Sequence, residues 1–219
     1  MMSPLMVSVI LPFTGCMIAG WIFRISSTVP RWVDAARLWE PARVRTVGLP
    51  VGFVWVTAWL YAVLGRRFPD FGLWLCHALI VTFLLTVALI DLRYAVVPNL
   101  LIYPAAGLLV LGRWAGTGLS GALNGLIAGL GCFGFFYLAA IVSPEGLGGG
   151  DIKLAAVIGL LLGSPDVLWA IPLGVFAGGL IAIARALAGR RQPIPYAPFL
   201  CLGAVLAIVW DPLYVLLGL

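Results

Sequence analysis

Residues 71–90 run for twenty positions without a formal charge, and Asp91 follows at once. About twenty apolar residues in a helix cross the roughly 30 Å hydrocarbon core of a bilayer. Similar charge-free runs recur along the chain, so this pattern constrains the fold more than any single residue does. Of the 219 residues 63% are hydrophobic and 10% are charged, whereas a soluble domain carries about 45–50% and about 25%. Too little polar side chain is present to coat a water-facing surface. A soluble monomer, a disordered chain and a disulfide scaffold are excluded. The expected fold class is all-α: a polytopic transmembrane helical bundle of about eight helices, one of them short.

The spans can be placed from charge, glycine and proline. Residues 1–23 carry no charged side chain. They lack a basic start and a small-x-small cleavage site, so they read as a retained first span rather than a signal peptide. Residues 24–45 form a short basic loop holding Arg24, Arg31, Arg37, Arg43 and Arg45. Residues 1–46 are therefore taken as a first helix with its cytoplasmic loop, and 47–219 as a membrane-embedded core. Spans are expected over 46–65 and 71–90. Over 94–112, Pro98 and Pro104 leave only the later part as comfortable helix, with Pro98 in the first turn. A longer run, 114–144, opens on a glycine-rich loop. A helix over 151–163 would be about 20 Å long, too short to cross alone. Ser164 and Pro165 read as a cap and first-turn proline opening a span over 167–184. Pro193, Pro195 and Pro198 punctuate a loop before a last span from about residue 197.

Orientation follows from the basic residues. With the N-terminus outside, ten Lys and Arg side chains fall inside and three (Arg66, Arg67, Arg113) outside. Asp91 and Asp151 then both stand at the cytoplasmic side of the membrane. The net charge of +5 is read as this topology signal and not as a nucleic-acid footprint.

Little in the chain can carry chemistry. Cys16, Cys76, Cys132 and Cys201 are scattered without CxxC spacing, so they read as thiols within helices and no metal site is expected. His77 stands alone in an apolar run, as a packed histidine. Asp34 and Glu40 lie in the basic loop, and Glu145 reads as exposed loop charge. Asp70 and Asp166 suit helix N-termini, and Asp211 falls late in the last span. Asp91 and Asp151 differ, because a carboxylate at the edge of an apolar helix is costly if buried and ionised. The bland alternative is that each merely ends a helix at the interface. Gly148, Gly149 and Gly150 favour a functional role for Asp151, since glycines let the backbone approach a substrate or another helix closely. A phosphate loop is the weaker reading, as the Walker spacing is missing. Two carboxylates held close in a poorly hydrated site share a proton and titrate as a unit. Such a dyad can take a proton from water and donate one to a scissile group, with no cofactor.

Two stretches carry a family resemblance. Leu89-Ile90-Asp91-Leu92-Arg93-Tyr94-Ala95-Val96-Val97-Pro98-Asn99-Leu100 resembles the first active-site motif of the type IV prepilin peptidases. Gly148-Gly149-Gly150-Asp151-Ile152-Lys153-Leu154 is similar to their GxGD motif, following lysine included. The stretch from Pro193 to Phe199 resembles the proline-rich motif before their last helix, and Gly15 to Arg24 is a weaker echo of their first. The resemblance implies a membrane aspartic peptidase that cuts the short basic leader from prepilins and pseudopilins at the cytoplasmic face. It implies Asp91 and Asp151 as the catalytic pair, with Gly148–Gly150, Lys153, Pro98 and Asn99 binding substrate or supporting them.

Two departures stand out. Larger members carry a cysteine-bearing, zinc-binding cytoplasmic domain and also N-methylate the product with S-adenosylmethionine. Here that region is the cysteine-free loop 24–45, so neither methyl transfer nor zinc is expected. Asn99 stands where an aspartate is frequent, and is expected to cap a helix or hold the loop. Lys153 either pairs with a carboxylate or snorkels to the interface. The competing readings are a proton- or ion-coupled transporter with the short helix as its binding element, and a catalytically silent assembly protein.

Overall fold

A computed structural model describes residues 10–28, 51–142, 147–189 and 195–210. Asp34, Glu40, Glu145, Pro193 and Asp211 lie outside the described residues, as does the basic loop beyond Thr28. Among the described residues there are seven helices and no strand: α1 Leu11–Thr28, α2 Val51–Arg67, α3 Phe71–Tyr94, α4 Asn99–Val142, α5 Gly149–Leu162, α6 Val167–Leu187 and α7 Ala197–Trp210. A bilayer offers no hydrogen bonds to the backbone, so a helix, which satisfies its own, is the natural spanning element. Of these helices α3, α4 and α6 are both long and apolar enough to cross a membrane. The fold is a helical membrane bundle.

The count is seven where about eight were expected, and the difference lies in α4. The runs 94–112 and 114–144 are two helices that meet at a kink at Gly118, whose φ of +70° is non-helical, and together they make up the 44 residues of α4. A straight helix of that length would be about 66 Å long, twice a bilayer core; the bend divides it into two limbs. Arg113 spans the bend, donating from Nε to the Gly121 carbonyl at 2.9 Å and from Nη1 to the Leu161 carbonyl of α5 at 2.9 Å. Pro104 also departs from expectation, lying inside α4. It falls early in the helix, where few backbone bonds precede it. Pro98 stands just outside the first turn, its carbonyl accepting from the Leu101 and Ile102 amides at 3.1 and 3.3 Å.

The chain divides into two compact units, residues 1–94 and 95–219. In the first, Gly15 of α1 meets Ala58 of α2 so closely that a Cβ on Gly15 would lie 2.8 Å from the Ala58 Cα. Tyr61 of α2 is fully buried, and its hydroxyl meets the Ala78 carbonyl and the Thr82 hydroxyl of α3. Asp70 caps α3 as expected, accepting from the Leu73 amide at 3.0 Å. His77 stacks on Phe68 at 3.8 Å, with Nδ1 2.8 Å from the Leu73 carbonyl. It is a packed histidine, half-buried. The cysteines all lie on helices and form no disulfide among the described residues; Cys132 and Cys201 are buried, whereas Cys76 is exposed.

In the second unit α5 packs on the later limb of α4, and α7 on α6. Both contacts are made backbone to backbone through glycine. A Cβ on Gly159 would lie 2.7 Å from the Ala128 carbonyl oxygen, and one on Gly203 would collide with that of Ala170. Such close approach is how helices gain packing energy where lipid supplies no hydrophobic drive. The turn from α5 to α6 is pinned by Asn124 of α4, which donates to the Ser164 carbonyl at 2.9 Å and accepts from the Ser164 amide at 2.7 Å. The cap of α6 is Asp166, without a side-chain capping bond, and not Ser164; the Ser164 backbone is taken by Asn124 instead.

Two stability tests follow. Gly203→Leu is expected to cost about 3 kcal/mol by forcing α7 off α6, whereas Gly131→Ala, open on all sides, is expected to leave thermal unfolding in detergent unchanged. At the end of α3, Ala95 adopts φ +51°, a left-handed conformation costing a residue with a Cβ about 1–2 kcal/mol. Ala95→Gly is therefore expected to preserve the melting temperature and Ala95→Val to lower it in the same assay.

Candidate active site

Asp91 lies in the last turn of α3, 4% exposed, two residues before the equally buried Arg93. A carboxylate gains nothing from the C-terminal end of a helix, where the backbone dipole is negative. Capping therefore does not account for its position.

Asp151 sits in the opposite environment. Gly148 is the cap of α5, in extended conformation, which makes Asp151 the third helical residue. From there its carboxylate turns back to the Gly148 amide, one half of a capping box. It also takes a hydrogen bond from the backbone N–H of Ala197, the first residue of α7. The Oδ1 atom is buried and has no hydrogen-bond partner among the described residues. One oxygen is thus held by backbone donors while the other is bare in an apolar wall. A free buried carboxylate oxygen is a site at which a proton or a water can be held.

The glycines place this loop. A Cβ on Gly150 would lie 2.9 Å from the Cβ of Val97, so only glycine lets the loop approach the segment before α4 this closely. One turn on, Lys153 donates from Nζ to Asn99 Oδ1 at 3.0 Å and lies 5.5 Å from the ring centre of Tyr103. The end of the first motif (Val97, Pro98, Asn99) therefore docks on the second (Gly148 to Lys153). Asn99 and Lys153 thus join the two stretches through one side-chain hydrogen bond. Gly149 is exposed, with no neighbour within 4 Å of a Cβ position, so packing does not demand glycine there.

Sequence reasoning missed Tyr196 and Ala197. Tyr196 precedes α7, half-buried, and its hydroxyl donates to the Val175 carbonyl of α6 at 3.1 Å. Burial raises its phenol above the usual tyrosine range, and the Asp151 carboxylate nearby adds to the rise. The only signal was position: both residues fall in the proline-rich stretch directly before an apolar helix.

Comparison with known proteins bears on this arrangement. Residues 78–183, which include both Asp91 and Asp151, match the model of the type IV leader peptidase family. A prepilin leader peptidase/N-methyltransferase of Bacillus subtilis is 32% identical over 220 residues, covering 94% of this chain and 85% of the relative. Proteins of the same name from Burkholderia pseudomallei and Pseudomonas aeruginosa are each 31% identical. The chain spans about half the length of these two, 52% and 46%. No solved structure matches. The two carboxylate motifs, the helical membrane bundle and the extent of the likeness to the Bacillus protein lead to one conclusion: the chain belongs to the type IV leader peptidase family.

Proposed function

We propose that this protein is a membrane aspartic endopeptidase that removes the short basic leader from type IV prepilin or pseudopilin precursors. Asp91 and Asp151 form the catalytic dyad. One carboxylate takes a proton from water as the water oxygen attacks the scissile carbonyl, the other donates a proton to the carbonyl oxygen, and the proton taken from water passes to the departing amine as the C–N bond breaks. The observation that carries the reading is Asp151 itself. One of its oxygens is buried with no hydrogen-bond partner among the described residues, in a motif held against Val97 and Asn99. The excess of basic residues on one side, ten against three, supports an inner-membrane protein with its N-terminus outside and its active site toward the cytoplasm. The division into residues 1–46 and a peptidase core over 47–219 belongs to the same proposal. So does the absence of methyl transfer, since the loop 24–45 holds no cysteine.

The test is cleavage of a co-expressed prepilin in membranes, read by mass, with Asp91→Asn and Asp151→Asn beside wild type. Wild type is expected to remove a leader-sized piece without an added methyl on the new terminus, and both variants to leave the precursor whole. Asparagine keeps an oxygen that accepts from the Gly148 and Ala197 amides, so Asp151→Asn is expected to retain the melting temperature of wild type while losing activity by at least about 10³-fold. Cleavage persisting in either variant would overturn the dyad. Ion flux abolished by Asp151→Asn, with no cleavage, would replace the peptidase by a transporter.

A further inference from the structure

The first amide groups of a helix have no partner within it, and the destination of each can be asked. In α7 the Tyr196 carbonyl accepts the first intrahelical bonds, from Phe199 at 3.1 Å and Leu200 at 3.4 Å. Ala197 is therefore the first helical residue, and its orphan N–H is the one that meets the Asp151 carboxylate. Where Asp151 points thus depends on where α7 begins. Three contacts set that start. Gly203 and Gly174 lock α7 to α6; a Cβ on Gly174 would lie 2.7 Å from the Phe199 carbonyl oxygen. The third is Tyr196, whose ring lies over Gly178 of α6, where a Cβ would come within 2.7 Å of Cε2. Its hydroxyl is tied to Val175 three residues earlier on α6. The ring needs glycine at 178, and the hydroxyl needs the carbonyl at 175.

We propose that Tyr196 is a positioning residue for Asp151. Wedged between Gly178 and the Val175 carbonyl, it holds the Ala197 amide on one side of the carboxylate and leaves the buried Oδ1 for the reacting water or proton. This rests on the reading of Asp151 as a catalytic residue, and it extends that reading to a tyrosine that touches no reacting atom. Tyr196 acts only through Ala197. Losing it should slow the chemical step without weakening precursor binding.

The experiment uses the full chain in membranes with a prepilin substrate, comparing Tyr196→Phe, Gly178→Ala, Tyr196→Leu and the double variant Gly178→Ala/Tyr196→Leu. A second readout is hydrogen exchange of the peptide containing the Ala197 amide, which requires no turnover. Tyr196→Phe removes one hydrogen bond and is expected to lower kcat about 5-fold. Gly178→Ala displaces the ring and is expected to lower it about 10-fold. In both, KM stays within about twofold, as expected of an interaction that matters in the transition state, and the Ala197 amide exchanges faster. In the Tyr196→Leu background the added Gly178→Ala change is expected to cost little more, because no ring remains to displace. If Gly178→Ala does not fold, Tyr196→Phe carries the test alone. Unchanged kcat in folded Tyr196→Phe, or a rise in KM with constant kcat, would overturn the proposal. If wild type itself cleaves no precursor, the peptidase reading falls separately. Exchange then decides: an Ala197 amide as protected in the variants as in wild type would refute the positioning role.

Discussion

Backbone contact between helices, made at glycine, is the constraint on which the rest of the second unit depends. Lipid is as apolar as leucine, so helices in a bilayer gain little from burying apolar side chains against each other and gain most from close van der Waals approach. Gly159 brings α5 against the Ala128 carbonyl, and Gly203 brings α7 against that of Ala170. Once those contacts are made, the starts of α5 and α7 are no longer adjustable. Asp151 stands in the first turn of one and Ala197 at the start of the other, and their hydrogen bond follows from the packing.

The same constraint explains the chemistry proposed for the site. In water a carboxylate would be satisfied by solvent. In an apolar wall its oxygens must find protein donors, hold a proton or meet a ligand. Among the described residues, backbone N–H groups serve one side of Asp151 and none serves Oδ1. Backbone donors at helix starts suit this task because their own partners are missing from the helix. Lys153, held by Asn99 and Tyr103, ties the loop down from its other end.

Much of this was legible in the residues. Residues 71–90 announced α3, and the short helix foreseen over 151–163 is α5 at Gly149–Leu162. Composition and charge-free runs were enough for the fold class, because a chain so apolar has few alternatives. The local readings that failed did so for physical reasons. Ser164 has the chemistry of a cap, yet its backbone is claimed by Asn124, forty positions away. Pro104 reads as a boundary, but early in a helix it is tolerated.

The sequence by itself determined that the chain is a helical membrane protein and that Asp91 and Asp151 are its unusual carboxylates. Apolar run length and the cost of charge in hydrocarbon are properties of the residues alone. Tertiary structure decided which groups surround those carboxylates. That Asn99 reaches Lys153, that Gly150 sits on Val97, and that Ala197 donates to Asp151 while Tyr196 braces it against α6 are contacts between residues up to 54 positions apart. No local pattern encodes them, because each depends on how closely two backbones pass, and that distance is set by the packing of the whole unit.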